Sequence, residues 1–204
     1  ALLGGISTNY KTNFWSEPNP VCVIESDEYD RSFLKLYPNI ISVSSMDADH
    51  LDIYGTATAM EDAFIQFAGN LKEKGLLLTR KGLSREDEFN SPGHLTYSLD
   101  DCTADIHALS LHIDNGSYAY GVKGKEWEME GLLLNMGGMH NVENSLVAIA
   151  IAKHLGIDDE KIKSAVASFA GVKRRFEYIV RTPSVVYIDD YAHHPEELRA
   201  LITG

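Results

Sequence analysis

An α/β fold, a mostly parallel sheet flanked by helices with a small antiparallel β-meander, is predicted by three features of the sequence. Two short apolar runs, residues 21–24 and 40–43, have the character of strands buried on both faces, as parallel sheets require. Between residues 53 and 75 the apolar period becomes helical, and a further apolar run, Leu76 to Leu78, follows directly, which makes a βαβ unit. Around Asn115-Gly116 the pattern alternates, and Asn-Gly between alternating runs is the strongest short hairpin signal.

The elements follow in order. The run at 21–24 ends in acids, and Pro38 leads into the run at 40–43. Met60, Phe64, Phe67, Ala68 and Leu71 form one helical face, with Glu61, Asp62 and Lys72 on the other and Thr56 or Thr58 as the cap. Gly75 follows that helix. Residues 84–92 are polar and read as a loop. Residues 105–134 read as three strands of a meander, the last over 127–134. Residues 141–155 form a helix that Gly156 stops. Asp158 or Asp159 starts another, with Ile162, Ala165, Val166 and Phe169 as its buried stripe. Residues 176–180 and 185–188 are strands, and 195–202 begin a helix. The change of character places a domain boundary near residues 171–175.

Charge and composition exclude several functions. Thirty acidic residues against 18 basic ones leave a net charge of −12. Such a surface repels phosphate backbones, which argues against general nucleic-acid binding, while small anionic substrates need only a local cluster of donors. The hydrophobic fraction of 44% and charged fraction of 24% are those of a folded domain. No apolar run approaches the ~20 residues that span a bilayer, so no membrane insertion is expected. Residues 1–15 lack the basic-then-apolar order of a secretion signal, and a cytoplasmic location is expected. Cys22 and Cys102 have no metal-ligand spacing and read as free thiols.

Five clusters carry possible chemistry. Glu25-Ser-Asp27-Glu28-Tyr-Asp30 follows the first apolar run, where open α/β sheets bind ligands. Carboxylates so crowded repel unless a cation offsets them, and oxygen ligands suit magnesium; the alternative is a solvated acidic loop. Asp47-Ala-Asp49-His50-Leu-Asp52 follows the next run at the same edge, so the two loops can face one site. Gly137-Gly-Met-His140-Asn141-Val-Glu-Asn144 opens a helix with donors and acceptors suited to a purine edge, and Asn141 is also a candidate N-cap. Lys173-Arg-Arg175 is basic in an acidic chain, matching phosphate oxygens or interdomain salt links. Asp189-Asp190-Tyr191-Ala-His193-His194-Pro195 lies between a strand and a helix. A metal pair is one reading there, a helix-entry loop the other. No G-x-x-x-x-G-K-[ST] occurs.

In order along the chain, Leu3-Gly-Gly-Ile-Ser-Thr-Asn-Tyr, the Glu25 cluster, Asp47-Ala-Asp-His-Leu-Asp52, His140-Asn-Val-Glu-Asn144, Gly171-Val-Lys-Arg-Arg-Phe176 and Asp189-Asp-Tyr-Ala-His-His-Pro195 resemble the Mur ligase family, in particular its alanine-adding branch. The resemblance implies a P-loop-NTPase-like central domain over residues 1–171, here without the phosphate loop, and the start of an amino-acid-binding C-terminal domain over 172–204. N-terminal and further C-terminal domains would lie elsewhere in the same protein. It implies ATP and Mg²⁺, with UDP-N-acetylmuramate and L-alanine joined through an acyl phosphate. Glu25 and His50 would hold magnesium. His140, Asn141 and Asn144 would hold adenine, Arg175 the phosphates or ribose, Asp190 the ribose, and Tyr191 and His193 the amino acid. Ser26 and Tyr29 depart from the alanine and serine of many members. The modified lysine that many relatives carry near the position of Phe64 is also missing, as fits the alanine-adding branch. A tripeptide-recycling ligase, a folate-polyglutamylating relative (disfavoured by the Asp-Tyr-Ala-His-His-Pro motif) and a non-catalytic binding fragment are the alternatives. The 204 residues alone are expected to bind nucleotide weakly, because the loop lysine is absent.

Overall fold

The computed structural model describes residues 1–114, 116–193 and 195–203. One six-stranded sheet organises it, with strands β1 (Ile40–Val43), β2 (Leu76–Arg80), β3 (His94–Ser98), β4 (Ile106–Asp114), β5 (Ser117–Lys123) and β6 (Glu128–Leu134) side by side in that order. β1 to β4 run parallel; β4, β5 and β6 are antiparallel neighbours. The predicted meander is therefore a continuation of the parallel sheet. Asn115, the first residue of the hairpin signal, lies outside the described residues. Its neighbour Gly116 has φ +79°, a backbone that favours glycine.

Leu76, Leu77 and Leu78 show why β2 reads as a continuous apolar run. Successive side chains point to opposite faces, and both faces are covered. Leu76 and Leu78 join a large core with Tyr97, Ile106, Val122, Leu132, Val142, Leu146 and Ile149. Helices α3 (Met139–His154) and α4 (Asp159–Ser168) close that side. Leu77 joins a second core with Ile41, Val43, Phe33, Met60 and Phe67, closed by α2 (Ala57–Gly69). Thr56 caps α2, its hydroxyl accepting from the Ala59 N–H at 3.1 Å. Asp158 caps α4 through the Glu160 N–H.

Several expectations are corrected. Residues 21–24 form no strand. Only Ile24 makes a bridge, parallel to Leu2, and Val21, Val23 and Ile24 are exposed. Pro18 and Pro20 remove backbone donors beside the run, and no packed layer covers its side chains. β1 is not buried on both faces, because Ser42 is exposed. β3 lies where no strand was expected. Its polar residues find partners inside the fold: the Thr96 N–H and hydroxyl donate to Asp105 Oδ2, and Thr79 Oγ1 lies 2.7 Å from His94 Nε2. In α4 only Ile162 is fully buried; Ala165 is exposed, and so is Phe169, which follows the helix as its C-cap. Helix α3 begins at Met139, two residues earlier than expected. Its N-cap is Gly138, and the Asn141 amide instead donates to Gly137 O at 2.7 Å.

Strands β7 (Glu177–Arg181) and β8 (Val186–Asp189) form a separate two-stranded antiparallel sheet, followed by helix α5 (Pro195–Thr203). Residues 1–15 are stitched to residues 168–173. Thr8 N–H donates to Gly171 O, Lys173 N–H to Ile6 O, and the Asn9 side chain spans Ser168 O and the Ala170 N–H.

Candidate functional site

The two acid-rich loops meet beyond the carboxyl end of β1. Helix α1 (Leu51–Tyr54) follows the second loop, and its Tyr54 hydroxyl donates to Glu28 O at 2.6 Å. The Arg31 guanidinium stacks on the Tyr54 ring at 4.6 Å and donates to Ile53 O. These contacts bring His50 to Glu28: Nε2 lies 3.7 Å from Glu28 Oε1 and 3.7 Å from Asp49 Oδ2. Tyr29 meets the same imidazole edge-on at 5.0 Å. His50 itself has φ +52°, a left-handed backbone that sets its ring at the head of α1. Glu25 is placed differently. Its Oε2 accepts the Gly4 N–H at 2.7 Å, and a Cβ on Gly4 would stand 3.1 Å from Oε1. Gly4 thus lets the backbone approach the carboxylate closely.

A cleft of about 360 Å³ opens between these loops and α5. Ser26, Glu28, Ser44, Asp47, Asp49 and Glu197 line it. Among the described residues no three His, Cys, Asp or Glu side chains gather as metal ligands. The donors present fit a hard cation held by one or two protein groups and completed by phosphate and water, which is how magnesium is commonly bound beside nucleotides.

The second group of predicted residues meets at the start of α3. Gly137 and Gly138 are needed for its packing. A Cβ on Gly137 would fall 2.2 Å from Phe176 Cε1, and one on Gly138, at φ +92°, 2.5 Å from His140 Cε1. The close approach that these glycines allow is used by the chain's own rings. His140 Nδ1 is buried and has no hydrogen-bond partner among the described residues. Burial lowers the His140 pKa below its ordinary 6.5; nearby Asp190 opposes the shift, Arg175 adds to it, and Glu143 also opposes it. Asp190 and Arg175 thus lie close enough to His140 to act on its charge, and burial favours its neutral form. Asn144 is exposed one turn beyond Asn141 on the same helix.

Asp190 accepts from the Phe176 N–H through Oδ2 and the Ala192 N–H through Oδ1, both at 2.7 Å. Both oxygens are thus engaged by backbone N–H groups in the loop that leads from β8 into α5. His194 lies outside the described residues. Tyr191 is exposed, with Arg174 stacked on its ring at 4.7 Å and His193 edge-on at 5.3 Å. Arg175 donates to Glu197 Oε1 at 3.2 Å, a salt link within residues 172–204 and not across the boundary expected near 171–175. Sequence reasoning missed Glu197. Its spacing of four from His193, at the first turn after Pro195, was the available signal.

Residues 18–152 match the Mur ligase middle domain family. The UDP-N-acetylmuramate–L-alanine ligase of Flavobacterium psychrophilum is 44% identical over 201 residues, covering 98% of this chain and 43% of that relative. The crystal structure of UDP-N-acetylmuramate-alanine ligase MurC from Thermotoga maritima aligns with a TM-score of 0.82 at 28% identity, over 99% of this chain and 46% of that one. The MurF ligase of Thermotoga maritima in complex with ADP aligns with a TM-score of 0.67 at 17% identity, over 81% and 38%, and shows the shared fold. The chain spans less than half the length of these proteins. With a parallel sheet continued by a meander, acid-rich loops beyond its first strand and a match to the middle-domain family over residues 18–152, the chain belongs to the Mur ligase family.

Proposed function

We propose that the full-length protein is an ATP-dependent ligase that joins L-alanine to the carboxylate of UDP-N-acetylmuramate in peptidoglycan synthesis. The observation that carries this reading is the 44% identity over 98% of the chain to a ligase of that name. Residues 1–171 are the ATP-handling domain in this reading, and 172–204 open the amino-acid-binding domain. The substrate carboxylate takes the terminal phosphoryl group of ATP and ADP leaves. The alanine amine then attacks the acyl carbon of that acyl phosphate, loses a proton, and phosphate departs.

Glu25 and His50 would hold Mg²⁺. Bound there, the ion offsets negative charge on the carboxylate and phosphoryl oxygens as they meet. His140, whose buried Nδ1 has no partner among the described residues, would take the purine edge together with Asn141 and Asn144. Arg175 would reach the phosphates or ribose, and Asp190 the ribose. Tyr191 and His193 would place the amino acid from the α5 side of the cleft.

The test is phosphate release from ATP by the full-length gene product with UDP-N-acetylmuramate and L-alanine. Turnover that requires both is expected. Turnover with a tripeptide in place of alanine would make the protein a recycling ligase with the same ATP site. The 204 residues alone are expected to release no phosphate. In full-length protein, Glu25→Gln is expected to abolish ligation with uridine-nucleotide binding nearly unchanged; normal activity at ordinary magnesium would remove the metal assignment.

A further inference from the structure

Glu197 has no role in the reading above, yet it touches both halves of the proposed site. Its Oε1 accepts from Arg175 Nη1 at 3.2 Å. Its Oε2 accepts the His193 backbone N–H at 3.0 Å and lies 3.6 Å from His193 Nδ1. That ring nitrogen is also 3.0 Å from Tyr191 O, so the imidazole is held at one edge from two sides. The residue lines the same cleft as Glu28, Asp47 and Asp49. Helix α5, which carries it, packs against α3, the helix of His140 and Asn141.

A carboxylate is planar and rigid, so its two oxygens cannot move independently. If the Arg175 guanidinium swings toward phosphate, Oε1 must follow or release it, and Oε2 then shifts against the His193 N–H. Charge acts in the same sense: an incoming phosphate competes with Glu197 for Arg175. We propose that Glu197 is a positioning residue that couples the nucleotide-binding arginine to the amino-acid-binding loop. The inference rests on the ligase reading of the site.

The experiment compares Glu197→Ala and Glu197→Gln with wild type in full-length protein. It measures KM for ATP, L-alanine and UDP-N-acetylmuramate, and the thermal midpoint. Alanine removes both links. KM for ATP and for L-alanine should each rise about tenfold, the size of losing one hydrogen bond to a charged group. KM for UDP-N-acetylmuramate and the midpoint should not move. Glutamine keeps one acceptor oxygen for the His193 N–H but turns an NH₂ toward Arg175. It should restore the L-alanine KM and leave the ATP KM raised. Unchanged kinetics in both variants would overturn the inference, as would an equal rise in all three KM values with a lowered midpoint, which marks a merely structural role. A wild-type protein without substrate-dependent turnover would overturn the ligase reading and this coupling with it, whereas an active wild type with indifferent variants overturns the coupling alone.

Discussion

Residues 21–24 and Ile40–Val43 carry the same kind of sequence, VCVI and IISV, and take different structures. Ile40–Val43 lies alongside Leu76–Thr79 in unbroken parallel register, and Ile41 and Val43 are 3% and 4% exposed beneath α2. Residues 21–24 share one bridge with Leu2, and Val23 is 57% exposed. An apolar run becomes a strand when its backbone groups meet a ladder and its side chains meet a second layer. Ile40–Val43 has both. Residues 21–24 have a single rung.

The contrast can be broken by mutation. Leu78→Ala empties a fully buried position in the larger core and should cost ~2–5 kcal/mol in a urea titration. Gly137→Ala tests the packed side where α3 meets Phe176. Its new methyl has nowhere to go, and a loss of ~1–3 kcal/mol is expected, read as a lower thermal midpoint.

A smaller effect follows from acid. Burial lowers the pKa of both His94 and His140 below 6.5, so the unfolded chain binds more protons as pH falls. Their contribution is fully present above about pH 6.5 and is lost progressively below it. Denaturant midpoints measured from pH 7.5 down to 5 should fall, and His94→Gln should flatten part of the slope. The smallest change belongs to the poorly paired run: Val23→Ala should stay within ~0.5 kcal/mol of wild type. If it costs as much as Leu78→Ala, residues 21–24 are packed in solution and the comparison collapses.

Much of this architecture was legible in the chain. The Leu76 to Leu78 run, the Thr56 cap with its helical stripe, the Gly156 stop and the Asp158 cap depend on local geometry, which a few neighbouring residues determine. β3 was not legible, because His-Leu-Thr-Tyr-Ser hides its strand character behind polar groups whose partners, Thr79 and Asp105, come from other strands and connections. The candidate site divides in the same way. The two acid-rich loops do meet, but the first is not carried there by a strand of the sheet, because the run at 21–24 makes only one bridge.

By itself, then, the sequence determined the family, the alternation of strands and helices, and the residue types at each loop, because these depend on periodicity, caps and short motifs. The tertiary structure decided what those residues touch. It turned the Asn141 amide to Gly137 O instead of capping α3, engaged both oxygens of Asp190 with backbone N–H groups, and hung Arg175 and His193 on Glu197. Each of these depends on which distant groups arrive within hydrogen-bonding reach, and only the packed sheets and helices bring them there.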